Sequence, residues 1–257
     1  MKNLIILLIV NLLFFYSFSQ NKYGGPDIDV AVLQKSFLNW SEYQKENIML
    51  SRDFVALDEN SKEISKGIFL SRLSSGNFIP IRLKSSDVLF YYKLFKIEAT
   101  SDTSIKATIT QIAFDEYEHL KMEGKPFPKF SFKDLNGTIV SNETMKGKII
   151  VIKCWYIHCA ACVKEFPDVN KLADKYKDRS DILFVSLAED TPQQLKTFLA
   201  KKPLSYAVIP NMKIYMNETL NLNAFPTHFI LNKEGMIAKV VPNYESIEVA
   251  LEIESKK

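Results

Sequence analysis

Hydrophobic and polar positions alternate in two different textures along this chain. From about Gln20 to Glu123, "VAVLQKSFLNWSEYQKEN" spaces Val32, Leu33, Phe37 and Trp40 at helical intervals. It is followed by "DFVAL", "GIFLSRL", "FIPIRL", "VLFYYKLFKI" and "SIKATITQIAF", all rich in β-branched and aromatic residues. Turn-rich pieces such as "DENSK", "SSGN" and "ATSDTS" separate them, so each run reads as a strand. This pattern predicts a smaller α+β domain over residues 20–123, with one helix and a mainly antiparallel sheet. It holds no cysteine, and His119 stands among charged residues, which predicts a solvated side chain. No catalytic constellation is visible there, and the sequence assigns that domain no role.

"EGKPFPKF" interrupts the pattern with two prolines and is the expected boundary. Residues 126–257 then alternate strand and helix. "KFSFKDLNGTIV" predicts a short strand, an Asn-Gly turn and a return. "KIIVIKCWY" and "DILFVSLA" are near-continuous apolar runs, as expected of strands covered on both faces. Cys162, Phe166, Val169, Ala173 and Tyr176 step by 4, 3, 4 and 3, a helical stripe. Thr191, Pro192 and Gln194 form a helix start with the capping-box pattern. "THFILN" and "MIAKVV" flank a Lys-Glu-Gly turn as a hairpin, and "SIEVALEIE" predicts a closing helix. Strands separated by helices define a layered α/β sheet.

Composition narrows the function classes only slightly. The net charge of +3 comes from 33 basic and 30 acidic residues spread through the chain, which offers no basic patch for nucleic acid. The first residues, "MKNLIILLIVNLLFFYSFSQ", matter more. A lysine, a short apolar run and the small residues Ser17 and Ser19 make the pattern of a secretory signal peptide over residues 1–19. An uncleaved anchor is the alternative, and would be the chain's only attachment to a membrane. Either way the expected location is periplasmic or otherwise extracytoplasmic, where disulfides persist.

All 3 cysteines lie in "CWYIHCAAC", too few and too clustered to staple a fold. Cys159 falls at the end of a strand and the start of a helix. Cys162 is one helical turn on, roughly 5–6 Å away and within disulfide reach. Unpaired N–H groups and the positive end of the helix dipole favour a thiolate at Cys159, the attacking species in disulfide exchange. A static disulfide remains open. Zinc would need two further ligands, and only the distant His228 offers itself. Cys154 alternates with Ile150 and Ile152 along a buried strand and reads as a small apolar filler.

The segment "GKIIVIKCWYIHCAACVKEFPDVNKLADKY", with "NAFPTHFILNKEGMIAK" downstream, resembles the TlpA/ResA family of exported thioredoxin-fold disulfide reductases. The likeness spans about Pro126 to Val241. It implies a thioredoxin-like C-terminal half in which Cys159 is the nucleophile and Cys162 the resolving cysteine. It also implies a cis-proline at Pro226, a helix kink at Pro167 and an acid, Glu165, that holds or relays the proton of Cys162. Phe225, Trp155 and His158 would meet the substrate. Substrates would be disulfides of exported proteins, with electrons from a membrane thiol donor and neither cofactor nor metal. The chain departs from the family at His158, where Trp is usual, and at Ala160-Ala161. It also has Lys153 where thioredoxin has a buried acid, so that Lys153 is a candidate partner for Glu165. The peroxiredoxin motif Pro-x-x-x-Thr-x-x-Cys is absent, so peroxidase chemistry is not expected. Net oxidation or isomerisation, a binding module with inert cysteines, and a metal chaperone using Cys159, Cys162 and His228 are the rival readings.

Overall fold

The computed structural model describes residues 22–86 and 88–257; the expected signal segment lies outside them. No helix of the described residues is long and apolar enough to cross a membrane. The N-terminal part runs β1 (Tyr23–Pro26), α1 (Val30–Gln34), α2 (Phe37–Asn47), β2 (Val55–Leu57), β3 (Glu63–Ile64), α3 (Lys66–Ser74), β4 (Phe78–Ser85), β5 (Tyr91–Lys96) and α4 (Thr103–Met122). Its five strands form one sheet in the order β1-β4-β5-β2-β3, antiparallel except where β2 meets β5. The helices bury Trp40, Phe69, Leu70, Ile105 and Ile109 against it.

Two expected strands are helices. "GIFLSRL" lies in α3, where the Ser65 hydroxyl accepts from Ile68 N–H as a helix cap and Phe69, Leu70 and Leu73 face inward. "SIKATITQIAF" lies in α4, which buries Ile105, Ile109, Ala113 and Glu116. Its spacing of three and four outweighs the β-branched content that suggested a strand. The single helix expected at the start is also two, parted after Gln34, with Ser36 capping α2. His119 is on the inward stripe of α4 and buried, not solvated; burial pulls its pKa down to about 4.

The C-terminal part runs β6 (Ser131–Lys133), β7 (Ile139–Ser141), β8 (Ile149–Trp155), α5 (Ala160–Lys164), α6 (Phe166–Lys175), β9 (Ile182–Ala188), α7 (Pro192–Leu199), β10 (Ala207–Ile209), β11 (Thr227–Leu231), β12 (Ile237–Val241) and α8 (Tyr244–Glu254). A π-helical turn, Tyr215–Thr219, precedes β11. Five strands lie in the order β10-β9-β8-β11-β12, with β10, β9 and β8 parallel and β11 antiparallel to both its neighbours. This is a thioredoxin-like α/β sheet. Every residue of the central β8 is buried. Its alternation sends Ile150, Ile152 and Cys154 into one core and Ile149 and Val151 into another, with α6 and α8. The capping box of α7 is complete. Gly137, at φ 86°, closes the Asn-Gly turn between β6 and β7.

The proline-marked segment between the two parts is bonded along β12: Gly124 N–H donates to Ile237 and Ile237 N–H donates to Lys125, each at 2.8 Å. Across the same junction Lys239 reaches Asp53 at 2.8 Å and Glu123 at 3.1 Å, and the Ser51 and Ser246 hydroxyls meet at 2.8 Å.

Candidate active site

The strand β8 delivers the chain to a tight turn, Tyr156–His158, pinned by Ile157 N–H donating to Asp190 Oδ2 at 2.8 Å. Cys159 is the N-cap of α5, in extended conformation, so its sulfur meets the unpaired amides of the first helical turn. Cys162 N–H donates to Cys159 Sγ at 3.1 Å. The two sulfurs are bonded at 2.01 Å, with Cα atoms 5.2 Å apart. Cys159 retains 6% exposure and Cys162 none, so what access the pair has is on the Cys159 side. His158, Ala160 and Ala161 are exposed around it.

Phe225 and Pro226 arrive from the opposite side. The Phe225–Pro226 peptide is cis, and Thr227 is paired with Cys154 across β11 and β8. Phe225 is half-buried in the apolar cluster that holds Cys159 and Cys162, its ring 5.5 Å from that of Tyr156. Trp155 is different from expectation: it is fully buried and cannot contact a substrate. Its indole packs edge-on to Phe166 at 4.9 Å because β8 is still covered by α6 at that point. Cys154 is buried, free and strongly disfavoured as a thiolate by its burial.

Beneath the pair lies a buried polar row. Ser186, Lys153 and His228 are in register on the adjacent strands β9, β8 and β11, and none is exposed. Glu165, at the break between α5 and α6, closes over them. Its Oε2 accepts from Lys153 Nζ at 2.6 Å and meets His228 Nε2 at 3.1 Å; its Oε1 accepts from Tyr244 N–H at 2.8 Å. Burial alone would raise the carboxyl pKa, but the His228 and Lys153 contacts hold it down at about 2. Burial and the neighbouring Lys153 ammonium lower His228 to about 4, so the imidazole is neutral and its Nε2–H is the donor. Glu165 is therefore a fixed anion rather than the proton reservoir expected. The comparison with thioredoxin offered Lys153 as a partner for Glu165 but missed His228 in this role. The signal was available in the alternation of "PTHFIL", which turns Thr227 and Phe229 to one face and His228 to the other.

Comparison with known proteins places this geometry. A family model described as Redoxin matches residues 122–251, and the chain belongs to that family. The thiol-disulfide oxidoreductase ResA of Bacillus cereus (strain ZK / E33L) is 28% identical over 134 residues, covering 52% of this chain and 77% of that protein. The thioredoxin-like protein YneN of Bacillus subtilis (strain 168) is 30% identical over 120 residues, covering 46% and 70%. Among solved structures, the thioredoxin domain of a thiol-disulfide oxidoreductase from Bacteroides vulgatus aligns with TM-score 0.47 and 21% identity, over 51% of this chain and 96% of that one. The protein is a thiol-disulfide oxidoreductase.

Proposed function

We propose that Cys159 and Cys162 are the redox-cycling pair and that the chain reduces disulfides of exported proteins. The observation that carries this reading is the bonded pair at the start of α5, with slight exposure at Cys159 and none at Cys162. In the reduced form the Cys159 thiolate attacks a substrate disulfide, forming a mixed disulfide and releasing one substrate thiolate. Cys162, after losing its proton, attacks Cys159 Sγ. The second substrate sulfur then leaves as a thiol, and two electrons have passed to the substrate. A dithiol donor at the membrane restores the pair by the same exchange in reverse.

Phe225, beside Cys159, offers its backbone to the incoming chain, and the exposed His158 flanks the attacking sulfur. Glu165 holds the helix break in place over the sheet, and Cys162 loses its proton to water rather than to that carboxylate. The test is dithiol-driven reduction of a model disulfide protein. Wild type should outpace free dithiothreitol, and Cys159→Ser should abolish the reaction. Turnover no faster than dithiothreitol alone refutes the reading. The reduction potential fixes direction: near about −270 mV the protein is a reductant, near about −120 mV an oxidant.

A further inference from the structure

Between the two parts of the chain lies a cleft of about 530 Å³, remote in sequence from the cysteines. Its walls include Ile48 and Leu50 after α2, Ile112, Asp115 and Glu116 on α4, and Glu245 at the start of α8. The walls combine apolar surface with three carboxylates. The one base in the lining, Lys45, is exposed and forms no ion pair among the described residues.

Glu116 gives the cleft its chemistry. It is 7% exposed, and no hydrogen bond or ion pair reaches its carboxylate among the described residues. A largely desolvated carboxylate without a direct partner is costly, and proteins ordinarily pair such a group or leave it protonated. Burial indeed raises its pKa to about 7. The charged groups around it are Lys66 on α3, Asp115 on α4, Glu123 just after α4, and Lys239 on β12. The Lys66 and Lys239 ammonium groups act on it through space, but neither makes an ion pair with it. Lys66 Nζ donates to the Ser51 and Arg52 carbonyls at 3.3 and 2.9 Å, and Lys239 is paired with Asp53 and Glu123. Asp115 already accepts from Gln111 at 2.9 Å.

We propose that this cleft binds a guanidinium or ammonium group carried on an apolar stem, with Glu116 as its ion partner and Ile48, Leu50 and Ile112 against the stem. Lysine and arginine side chains have this build, a hydrocarbon stem under a charged head. The same chemistry is offered by a basic side chain of a partner polypeptide and by a free alkyl guanidine. Binding near neutral pH favours the ionised form of Glu116, so part of a proton per site is released as the ligand charge enters. The site stands independently of the redox reading given above.

Titration calorimetry of the full chain tests this with two probes, agmatine and an acetylated Gly-Arg-Gly amide, against uncharged butylurea. At least one cationic probe should bind and butylurea should not. Agmatine binding identifies a free guanidine as a competent occupant, and binding by the peptide alone identifies a partner's side chain. Near pH 7 the heat should vary with buffer ionisation enthalpy, reporting proton release. Glu116→Gln, which removes a buried charge at constant shape, should weaken binding by at least about tenfold and abolish the proton release. Ile112→Trp, which fills the cleft from a half-buried position, should block binding in a chain of unchanged circular dichroism. Failure of both cationic probes to bind overturns the proposal, as does equal affinity in Glu116→Gln.

Discussion

Lys153 Nζ, wholly buried, lies 2.6 Å from Glu165 Oε2, across 12 residues and from the central strand to the break in the active-site helix. The pair ties the position of Cys162 to the sheet. It also puts a buried cation on β8, one residue from Cys154 and tied to the break of the active-site helix. His228 and the Tyr244 amide satisfy what remains of the carboxylate. The cluster thus joins β8, β11, the helix break and the start of α8.

Removing either charge leaves the other buried. Lys153→Met and Glu165→Gln should each destabilise the protein by about 3–5 kcal/mol. The double variant should cost less than the sum, by about 1–3 kcal/mol, because it strands no charge. Urea unfolding of the four proteins measures this, and strictly additive losses would show that the pair is not coupled.

Acid should destabilise the fold in two overlapping steps. His228 and His119 both have folded pKa values lowered to about 4 from an ordinary value near 6.5. Each therefore contributes stability present above about pH 6.5 and lost as pH falls toward 4. Glu165, lowered to about 2, contributes stability present above the usual carboxylate range and lost as pH falls through about 2. Glu116 runs the other way. Its pKa is raised to about 7, so its contribution is present below the usual carboxylate range and lost as pH rises toward 7. Urea midpoints measured from pH 3 to 8 should fall less steeply between 6.5 and 4 in His228→Asn than in wild type; an unchanged slope would remove His228 from the account.

Much of the C-terminal half was legible because its signals are local and agree. "KIIVIKCWY" is apolar without interruption, Thr191 to Gln194 is a complete capping box, and "NAFPTHFILNKEG" carries the proline and the hairpin turn together. The N-terminal half was misread where local signals conflict. In α4 the β-branched Ile105 and Ile109, and in α3 Phe69, Leu70 and Leu73, sit on a helical stripe whose meaning depends on the sheet they cover. Trp155 and His119 failed for a related reason. Each is polar-tipped or flanked by charge in sequence, yet tertiary packing buries both with an unpartnered ring nitrogen. The alternation of "PTHFIL" shows which face His228 takes, but its partner is a glutamate 63 residues earlier, and that pairing comes only from the tertiary fold.

The three cysteines should separate cleanly by thiol chemistry. Cys154 is fully buried and burial raises its pKa, so it should not react in the native state. Oxidised protein should show no titratable thiol until it is unfolded, and then one. Cys154→Ala should retain disulfide reductase turnover, while Cys154→Ser should lose about 1–3 kcal/mol of stability by burying an unpaired hydroxyl. Ellman titration in buffer and in guanidinium decides this, and a native-state thiol in the oxidised protein would contradict it.

The charges at Lys153 and Glu165 should also act on the thiols in opposite directions. Cys162 and Glu165 are three residues apart on the α5 segment, so whichever charge is stranded there is felt by the sulfur. Lys153→Met leaves an unbalanced carboxylate, which disfavours a thiolate and should raise the thiol pKa values of the reduced pair. Glu165→Gln leaves an unbalanced ammonium and should lower them, each by about one pH unit at the effective dielectric of a protein interior. Iodoacetamide alkylation rates against pH, taken on the reduced proteins, report both values. A purely structural loosening would move the two variants the same way. Opposite displacements identify the pair as the electrostatic setting of the redox centre.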